Sequence, residues 1–333
     1  MFDNKVILVT GGTGSFGKEF IRFVIKNYKF KKIIIFSRDE LKQHEFRISL
    51  SDKELKKVRF FIGDIRDKNR LKMAMQDVNI LVHAAALKQV PTIEYNPFEA
   101  VKTNIYGAQN IIEASLETKV EKVIALSTDK ASSPINVYGA TKLTSDKLFI
   151  SANNYSGIKN IKFSVVRYGN VFGSRGSVIP IFLNVKNNNY NITDVNMTRF
   201  NITLEEGVKF VIFSLKNMIG GEIFVPKLKS YKITDLVKAI SNNPKINLIG
   251  IRPGEKIHEE MISKFDAINT LEFKNFFIIL PDLSFKGISL STFKKKYPNK
   301  PKFCESNFSY NSLENNQYLS VSEIKNLIKD FKK

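Results

Sequence analysis

Sulfur and metal-binding side chains are scarce in this sequence. It contains one cysteine, three histidines and no tryptophan among 333 residues. The lone Cys304 excludes an internal disulfide, and no two histidines have the spacing of metal ligands beside a carboxylate, so we predict no metal site. Long apolar runs are missing too, whereas a membrane-spanning helix needs about 18 or more such residues. Because the opening segment MFDNKVILVT also lacks the zones of a signal peptide, we expect a cytoplasmic protein with no membrane partner.

Acidic residues are outnumbered by basic ones. The 52 lysines and arginines against 32 aspartates and glutamates give a formal net charge of +20. Such a charge would suit nucleic acid if the basic residues formed a stripe interleaved with aromatic side chains. Instead, the lysines lie in short clusters at element boundaries and in loops, such as KFKK at 29–32. We therefore predict no nucleic-acid partner, and a basic surface that attracts anionic substrates.

The N-terminal motif is a short apolar strand that runs into a glycine-rich turn. KVILVT (5–10) is followed by GGTGSFG (11–17) and then by a helix-like segment. A dinucleotide site requires this order, because the glycines allow close backbone approach and the helix N-terminus faces the pyrophosphate. A P-loop is the alternative for GTGSFGK, but Glu19 stands where the magnesium-binding hydroxyl should be. The predicted cofactor contacts here are Gly11, Thr13, Gly14, Ser15, Phe16 and Gly17.

The ends of the next three predicted strands indicate which dinucleotide binds. KIIIFS ends at Ser37, where an acid would accept a hydrogen bond from the adenosine 2′-hydroxyl. Here Ser37, Arg38 and Lys42 can hold a 2′-phosphate instead, so the predicted cofactor is NADP rather than NAD. The remaining predicted contacts are Asp64, Ile65, Ala84, Ala85 and Ala86 at the ends of the third and fourth strands, with Tyr138 and Lys142 further along the chain.

A fifth apolar strand, VIALST (123–128), leads into the pattern STDKASSPINVYGATK. Tyr138 and Lys142 are four residues apart, which places both on one face of a helix predicted to run to about Asn153. A nearby ammonium and a positive nicotinamide favour the phenolate, so Tyr138 can accept a hydroxyl proton while hydride leaves. We therefore predict a dehydrogenase-like site at the carboxyl end of this strand.

Five motifs in order carry a family resemblance. They are TDKASSPINVYGATK (128–142), RYGNVFGSRGSVIP (167–180), MTRF (197–200), GGEIFVPK (220–227) and IRPGEKIHEEMI (251–262). With the glycine turn, they resemble the extended short-chain dehydrogenase/reductases of nucleotide sugars over nearly the whole chain, from Lys5 to about Phe285. Within that family the narrower resemblance is to the inverting UDP-N-acetylglucosamine 4,6-dehydratases of pseudaminic acid biosynthesis.

The strand pattern and the resemblance imply an α/β fold. We predict a doubly wound parallel sheet of the Rossmann type with a smaller C-terminal substrate-binding lobe. The NADP-binding domain is expected at 1–180, and the lobe and tail at 181–333, with a helix at 204–218 packing back on the first domain. The resemblance also implies a homo-oligomer, with a hexamer as its expected form.

The residues after the fifth strand separate the subgroups. Asp129 and Lys130 follow Thr128, whereas retaining dTDP-glucose 4,6-dehydratases have Asp-Glu there and the 4-epimerases carry no Asp-Lys pair. The long membrane-bound UDP-N-acetylglucosamine 4,6-dehydratases share Asp-Lys but have methionine in place of Tyr138. Two alternatives stay open: a 4-epimerase or retaining dehydratase on the same fold, and a non-catalytic NADP-binding regulatory protein.

The resemblance implies a role for each central residue. Tyr138, helped by Lys142 and Thr128, would remove the C4 hydroxyl proton as hydride passes to NADP. The C4 ketone acidifies the C5 proton, which Lys130 would take while Asp129 protonates the departing C6 hydroxyl. Hydride return to C6 and reprotonation of C5 from the opposite face would give UDP-2-acetamido-2,6-dideoxy-β-L-arabino-hex-4-ulose. Lys130 must be neutral for this step, and the sequence leaves open whether desolvation or the neighbouring carboxylate prevails.

The resemblance also implies how UDP-N-acetylglucosamine is held. Arginine suits phosphate oxygens because its planar fork donates two hydrogen bonds at once. Asn201 stands where the family usually has tryptophan, and Gln89 where it has histidine, so the sugar-facing loop is expected to differ in shape. The implied substrate contacts are Lys88, Asn170, Arg175, Val178, Arg199, Arg252 and Glu255.

Overall fold

The computed structural model describes residues 1–157, 159–174, 176–281, 290–297 and 301–332. The strands are β1 (Val6–Thr10), β2 (Lys32–Ser37), β3 (Val58–Ile62), β4 (Ile80–His83), β5 (Lys122–Thr128), β6 (Lys162–Tyr168), β7 (Asn170–Val171), β8 (Asn189–Ile192), β9 (Thr198–Ile202), β10 (Ile223–Pro226), β11 (Lys229–Lys232), β12 (Lys245–Leu248), β13 (Glu260–Ile262), β14 (Thr270–Glu272), β15 (Phe276–Ile279), β16 (Lys302–Phe303) and β17 (Tyr310–Asn311).

The helices include long ones that cover the main sheet and single turns within loops. The α-helices are α1 (Ser15–Asn27), α2 (Glu40–Ile48), α3 (Asp52–Leu55), α4 (Lys68–Met75), α5 (Val90–Tyr95), α6 (Pro97–Ala100), α7 (Gly107–Leu116), α8 (Val137–Ser151), α9 (Val178–Leu183), α10 (Leu204–Asn217), α11 (Ile233–Ile240), α12 (Lys264–Ala267), α13 (Leu290–Lys296) and α14 (Val321–Lys332). Val101–Tyr106 form a π-helical segment, and Asp129–Ala131 and Ala152–Tyr155 form 3₁₀ turns.

The main sheet has ten strands among the described residues, in the order β3, β2, β1, β4, β5, β6, β10, β15, β14, β16. Neighbouring strands from β3 to β10 pair in parallel. Each of β15, β14 and β16 pairs antiparallel with the strand before it in this order. Every residue of β1 is buried, as expected for a parallel strand with helices on both faces. The order from β3 to β6 is that of a doubly wound dinucleotide-binding sheet, so the predicted fold class is confirmed.

The C-terminal half of the chain contributes to two hydrophobic cores. Strands β10, β14, β15 and β16 extend the main sheet, and α10 packs against α1. A second, smaller core lies between β8, β11, α9, α11 and α14, where Leu236, Ile324 and Ile328 are buried. The domain boundary at residue 180 stays a prediction. Among the described residues, none of the helices has the length and apolar character that a membrane crossing requires.

Candidate active site

The glycine turn after β1 has the geometry of a dinucleotide cradle. Gly11 has a φ of +64°, and a Cβ there would lie 2.9 Å from the Ala85 backbone, so only glycine fits between the ends of β1 and β4. Gly14 caps α1 without a side-chain acceptor, and the first turn of α1 contains no acid. Backbone N–H groups with no acidic neighbour suit a diphosphate, so these residues fit a bound dinucleotide. Ala84 and Ala85, predicted from the end of β4, lie against this turn.

The predicted 2′-phosphate group lies at the end of β2. The Ser37 and Thr13 hydroxyl oxygens are 2.8 Å apart, which joins this strand end to the glycine turn. Arg38 has a side chain that is 54% exposed, and its Nη1 lies 3.6 Å from Asp64 Oδ2. Lys42 is ion-paired with Asp39. Both cations therefore already face carboxylates, and a 2′-phosphate would share or displace these contacts.

Three of the other predicted cofactor contacts differ in exposure. Ile65 is buried and packs close to Gly107, so its side chain belongs to the core. Phe16 is partly buried beside Tyr168, with ring centroids 6.5 Å apart. Ala86 is exposed. Their assignment as cofactor contacts stays a prediction.

The first turn of helix α8 packs against the residues that follow β5. Asn136 caps it by accepting a hydrogen bond from Gly139 N at 2.7 Å. A Cβ on Gly139 would lie 2.2 Å from the Lys130 carbonyl oxygen, so glycine allows the turn after β5 to pack directly on α8. This contact brings Lys130 next to Tyr138. It also explains the glycine in VYGATK.

The pKa values on α8 differ from the sequence-based expectation. Burial raises the pKa of Tyr138 to about 12, while the Lys130 charge and a hydrogen bond from Thr128 act in the opposite direction. Burial lowers the pKa of Lys142, and the Asp146 carboxylate opposes this. The cation that favours the Tyr138 phenolate in this structure is therefore Lys130, whereas the sequence pointed to Lys142.

A buried cluster of charges follows β5. Lys130 Nζ lies 3.2 Å from Asp129 Oδ1, 2.9 Å from Glu259 Oε1 and 3.4 Å from Asn170 Oδ1. The Thr128 hydroxyl donates to Asp129 Oδ1 at 2.8 Å. Asp129 Oδ2 and Glu259 Oε2 are buried without a hydrogen-bond partner among the described residues. Four of the residues here were predicted, and Glu259 was not.

The cluster holds Lys130 in its charged form. Burial by itself would lower the pKa of Lys130, but the carboxylates of Asp129 and Glu259 outweigh it and raise that pKa above its ordinary value. Burial, followed by the charge of Glu259, raises the pKa of Asp129 above its ordinary value, while Lys130 and Thr128 oppose this. The opposition that the sequence left open is therefore decided in favour of the ammonium.

The predicted phosphate-binding residues continue this cluster. Arg199, on β9 and buried, lies 3.6 Å from Glu259 through Nε and 3.7 Å from Glu255 through Nη2. Arg252 donates to both oxygens of Glu255 at 2.9 and 3.0 Å and is 61% exposed. A continuous series of ion pairs thus runs from Arg252 at the surface to Lys130 beside α8.

Three other predicted substrate contacts have different outcomes. Lys88 keeps some solvent contact, although burial and then the Lys130 charge lower its pKa. Val178 begins α9. Arg175 lies outside the described residues, and its neighbour Gly176 would bring a Cβ within 2.7 Å of the Gln89 side chain. The loops that follow β4 and β7 therefore meet at this side of the site.

Glu259 is the functional candidate that sequence reasoning missed. It lies within IRPGEKIHEEMI, where only Arg252 and Glu255 were singled out. The signal available in the sequence was an acid directly before the short segment that forms β13. In the structure this residue is 2% exposed. A buried acid needs a cationic partner, but the sequence does not say which one.

Known proteins are similar to this chain in sequence and in fold. A family model described as "Polysaccharide biosynthesis protein" matches residues 7–281. The chain belongs to this family. Within the polysaccharide biosynthesis family, the chain is 51% identical over 98% of both lengths to the UDP-N-acetylglucosamine 4,6-dehydratase (inverting) of Campylobacter jejuni subsp. jejuni serotype O:23/36. The resemblance inferred from the motifs, to the extended short-chain dehydrogenase/reductases and to this subgroup, is confirmed.

Two further relatives bear on the chemistry of this family. A UDP-glucose 4-epimerase of Rickettsia bellii is 43% identical and covers 85% of this chain and 84% of its own. The X-ray structure of Pen from Bacillus thuringiensis is 38% identical, covers 100% of this chain and 99% of its own, and superposes with a TM-score of 0.89. Dehydratases and epimerases thus share this fold, so the chemistry must be argued from the site.

Proposed function

We propose that this protein is an NADP-dependent UDP-N-acetylglucosamine 4,6-dehydratase that inverts C5. The observation that carries the proposal is the placement of Asp129 and Lys130 beside Tyr138, in a chain 51% identical to a relative with that name. A regulatory NADP-binding protein would have no chemical reason to combine a buried acid, a partly buried lysine and a tyrosine at one strand end.

The cofactor would lie along the glycine turn and the ends of β2 and β4. Gly11 and Gly14 would allow the diphosphate to approach the N-terminus of α1, with Ser37 and Arg38 at the adenosine ribose. The preference for NADP rests on two features: position 37 carries a serine rather than an acid, and the neighbouring Arg38 guanidinium is exposed. Bound there, the nicotinamide would accept a hydride from C4 of the sugar and return it to C6.

Oxidation at C4 would depend on Tyr138. Its phenol must lose a proton to receive the C4 hydroxyl proton, and burial opposes that loss while Lys130 and Thr128 promote it. A positive nicotinamide ring would add to the promoting charges. Tyr138 is therefore the general base of the first half-reaction.

Elimination of water would depend on the pair that follows. Burial and the nearby Glu259 charge raise the pKa of Asp129, which favours uptake of the proton that an acid needs to protonate the C6 hydroxyl. Lys130 is an ammonium before substrate binds, so it has to lose a proton before it can take the one on C5. The C4 ketone makes that C5 proton acidic.

The substrate diphosphate would contact Arg199 and Arg252. Arg252 is exposed and pairs with Glu255; phosphate would replace this carboxylate, which would leave Glu255 available to accept a hydrogen bond from a ribose hydroxyl. Asn170 would lie along the diphosphate, and Lys88 would lie near the sugar. We further propose, from the family resemblance, a homo-oligomer whose product enters pseudaminic acid synthesis. The cytoplasmic location stays the proposal made from the sequence pattern, and light scattering would measure the oligomeric state.

The decisive experiment is incubation of the purified protein with UDP-N-acetylglucosamine and NADP in D₂O, read by NMR. A 4-keto-6-deoxy sugar with deuterium at an inverted C5 is the expected product. Formation of UDP-N-acetylgalactosamine would support a 4-epimerase, the activity named for the 43% identical relative. A 4-keto-6-deoxy sugar with retained configuration would support a retaining dehydratase, and an unchanged sugar would contradict catalysis.

A further inference from the structure

Glu259 is a buried carboxylate that the family motifs did not assign. Its side chain is 3% exposed, and Oε1 accepts a hydrogen bond from Lys130 Nζ at 2.9 Å while lying 3.6 Å from Arg199 Nε. This is the shorter of the two carboxylate contacts of Lys130, since Asp129 Oδ1 is at 3.2 Å. The contact joins residues 129 positions apart in the chain.

The backbone around Glu259 is held in place. Its N–H donates to the Ser312 hydroxyl at 2.9 Å, and Ser312 N donates back to the Glu259 carbonyl at 2.7 Å. The Ser312 hydroxyl also lies 2.7 Å from Thr198 Oγ1, next to Arg199 on β9. The C-terminal segment therefore fixes where this carboxylate meets Lys130.

We propose that Glu259 is a positioning residue that acts through Lys130, by fixing its Nζ between two carboxylates and by holding its positive charge until substrate binds. The inference rests on the proposed function for its catalytic meaning, but the contact itself does not. An ion pair out of water is strong enough to govern the charge of a lysine. The other titratable side chains whose charges act on this cluster are Arg199, Tyr138, Lys88, Tyr231 and Lys256.

The test is a pH titration of Lys130 by NMR in full-length protein carrying ¹³Cε-labelled lysine. The signal is assigned as the one lost in Lys130→Arg. In Glu259→Gln we expect the Lys130 titration to move down by about 1 to 3 pH units, because one opposite charge within hydrogen-bond distance is removed. The matched control is Glu260→Gln, since Glu260 accepts from the hydroxyls of Ser132 and Ser133 rather than from Lys130.

An unmoved Lys130 titration in folded Glu259→Gln would overturn the proposal. If that variant does not fold, Glu259→Asp is the second test, because it retains the charge but moves it away from Lys130 by one methylene. The Lys130 titration should then move down by a smaller amount. No movement in that variant would also overturn the proposal. The pH dependence of C5 exchange in D₂O should follow, with its rising limb at lower pH in Glu259→Gln. If C5 does not exchange in the wild-type protein, the proposed function is contradicted. The Lys130 titration still tests the role of Glu259.

Discussion

Arg167 and Asp146 form an ion pair in the core, with Nη2 and Oδ2 3.3 Å apart and both side chains 1% exposed. Asp146 also accepts from the Ser127 hydroxyl at 2.7 Å. Tyr138, Lys142 and Asp146 are spaced four residues apart and lie on one face of α8. The contacts of Asp146 with Arg167 and Ser127 therefore hold this face of the helix against β6 and β5. Arg167 further donates to the Met261 carbonyl at 3.0 Å, close to Glu259.

Asp146→Ala should lower the free energy of unfolding by about 3 to 5 kcal/mol, since it leaves the Arg167 guanidinium buried and partly unpaired. Urea denaturation followed by circular dichroism measures the change. The control is Glu205→Ala, which breaks the exposed pair with Lys209 at 2.7 Å and should cost about 0 to 1 kcal/mol. Similar losses in the two variants would contradict the weight given to the buried pair.

His83 should make stability depend on pH. It is buried with Nδ1 2.8 Å from Thr10 Oγ1, and burial, then Lys142, lowers its pKa to about 3. The unfolded chain binds a proton below about pH 6.5, whereas the folded protein does not until about pH 3, so this stabilisation is lost as pH falls through that window.

Between about pH 6.5 and pH 4.5 the His83 contribution should fall by about 2 to 3 kcal/mol. Urea denaturation at both pH values measures it, and His83→Gln should remove this part of the pH dependence. His44→Gln, at an exposed position on α2, is the control and should leave it intact. An unaltered pH dependence in His83→Gln would show that another group is responsible.

Arg38→Ala should weaken NADP binding by about 1.5 to 3 kcal/mol and NAD binding much less, because a charged hydrogen bond to the 2′-phosphate is lost. Fluorescence titration with each cofactor measures the difference. Arg47→Ala, which removes an exposed cation from the last turn of α2, is the control. Equal losses for NADP and NAD would refute the 2′-phosphate assignment.

Tyr138→Phe should slow reduction of bound cofactor by about 10²- to 10⁴-fold, since the proposed general base of C4 oxidation is removed. Stopped-flow absorbance of the reduced nicotinamide on addition of UDP-N-acetylglucosamine measures this rate. Tyr155→Phe, whose exposed hydroxyl donates to Ser151 at 3.2 Å, should react like the wild type. Wild-type reduction in Tyr138→Phe would remove Tyr138 from this role.

Lys130→Met should block C5 exchange in D₂O. It should also slow C4 oxidation, because Lys130 promotes the Tyr138 phenolate, but the reduced cofactor that does form should accumulate. Methionine preserves much of the stem volume and supplies no base. Exposed Lys147→Met on the same helix α8 is the control. Normal exchange at C5 in Lys130→Met would assign the base to another group, such as Asp129 or Tyr138.

Much of the fold followed from the sequence alone, and so did the strand ends at which the candidate site lies. The apolar strands, the glycine turn and the Tyr138–Lys142 spacing are local patterns, and local patterns determine strands, turns and helix faces. Because parallel strands end at one edge of a sheet, the sequence also predicted that the residues after β1, β4 and β5 would meet.

Tertiary structure alone decided which charges meet and in what state. Glu259 is brought to Lys130 by the packing of β13 and β17, which no local spacing encodes. Burial lowers the pKa of Lys130, whereas the charges of two carboxylates raise it. Which effect is larger depends on the distances between these groups, and only the tertiary structure sets those distances. The same holds for the late strands that extend the main sheet: their apolar runs predict strands, but long-range pairing determines which sheet they join.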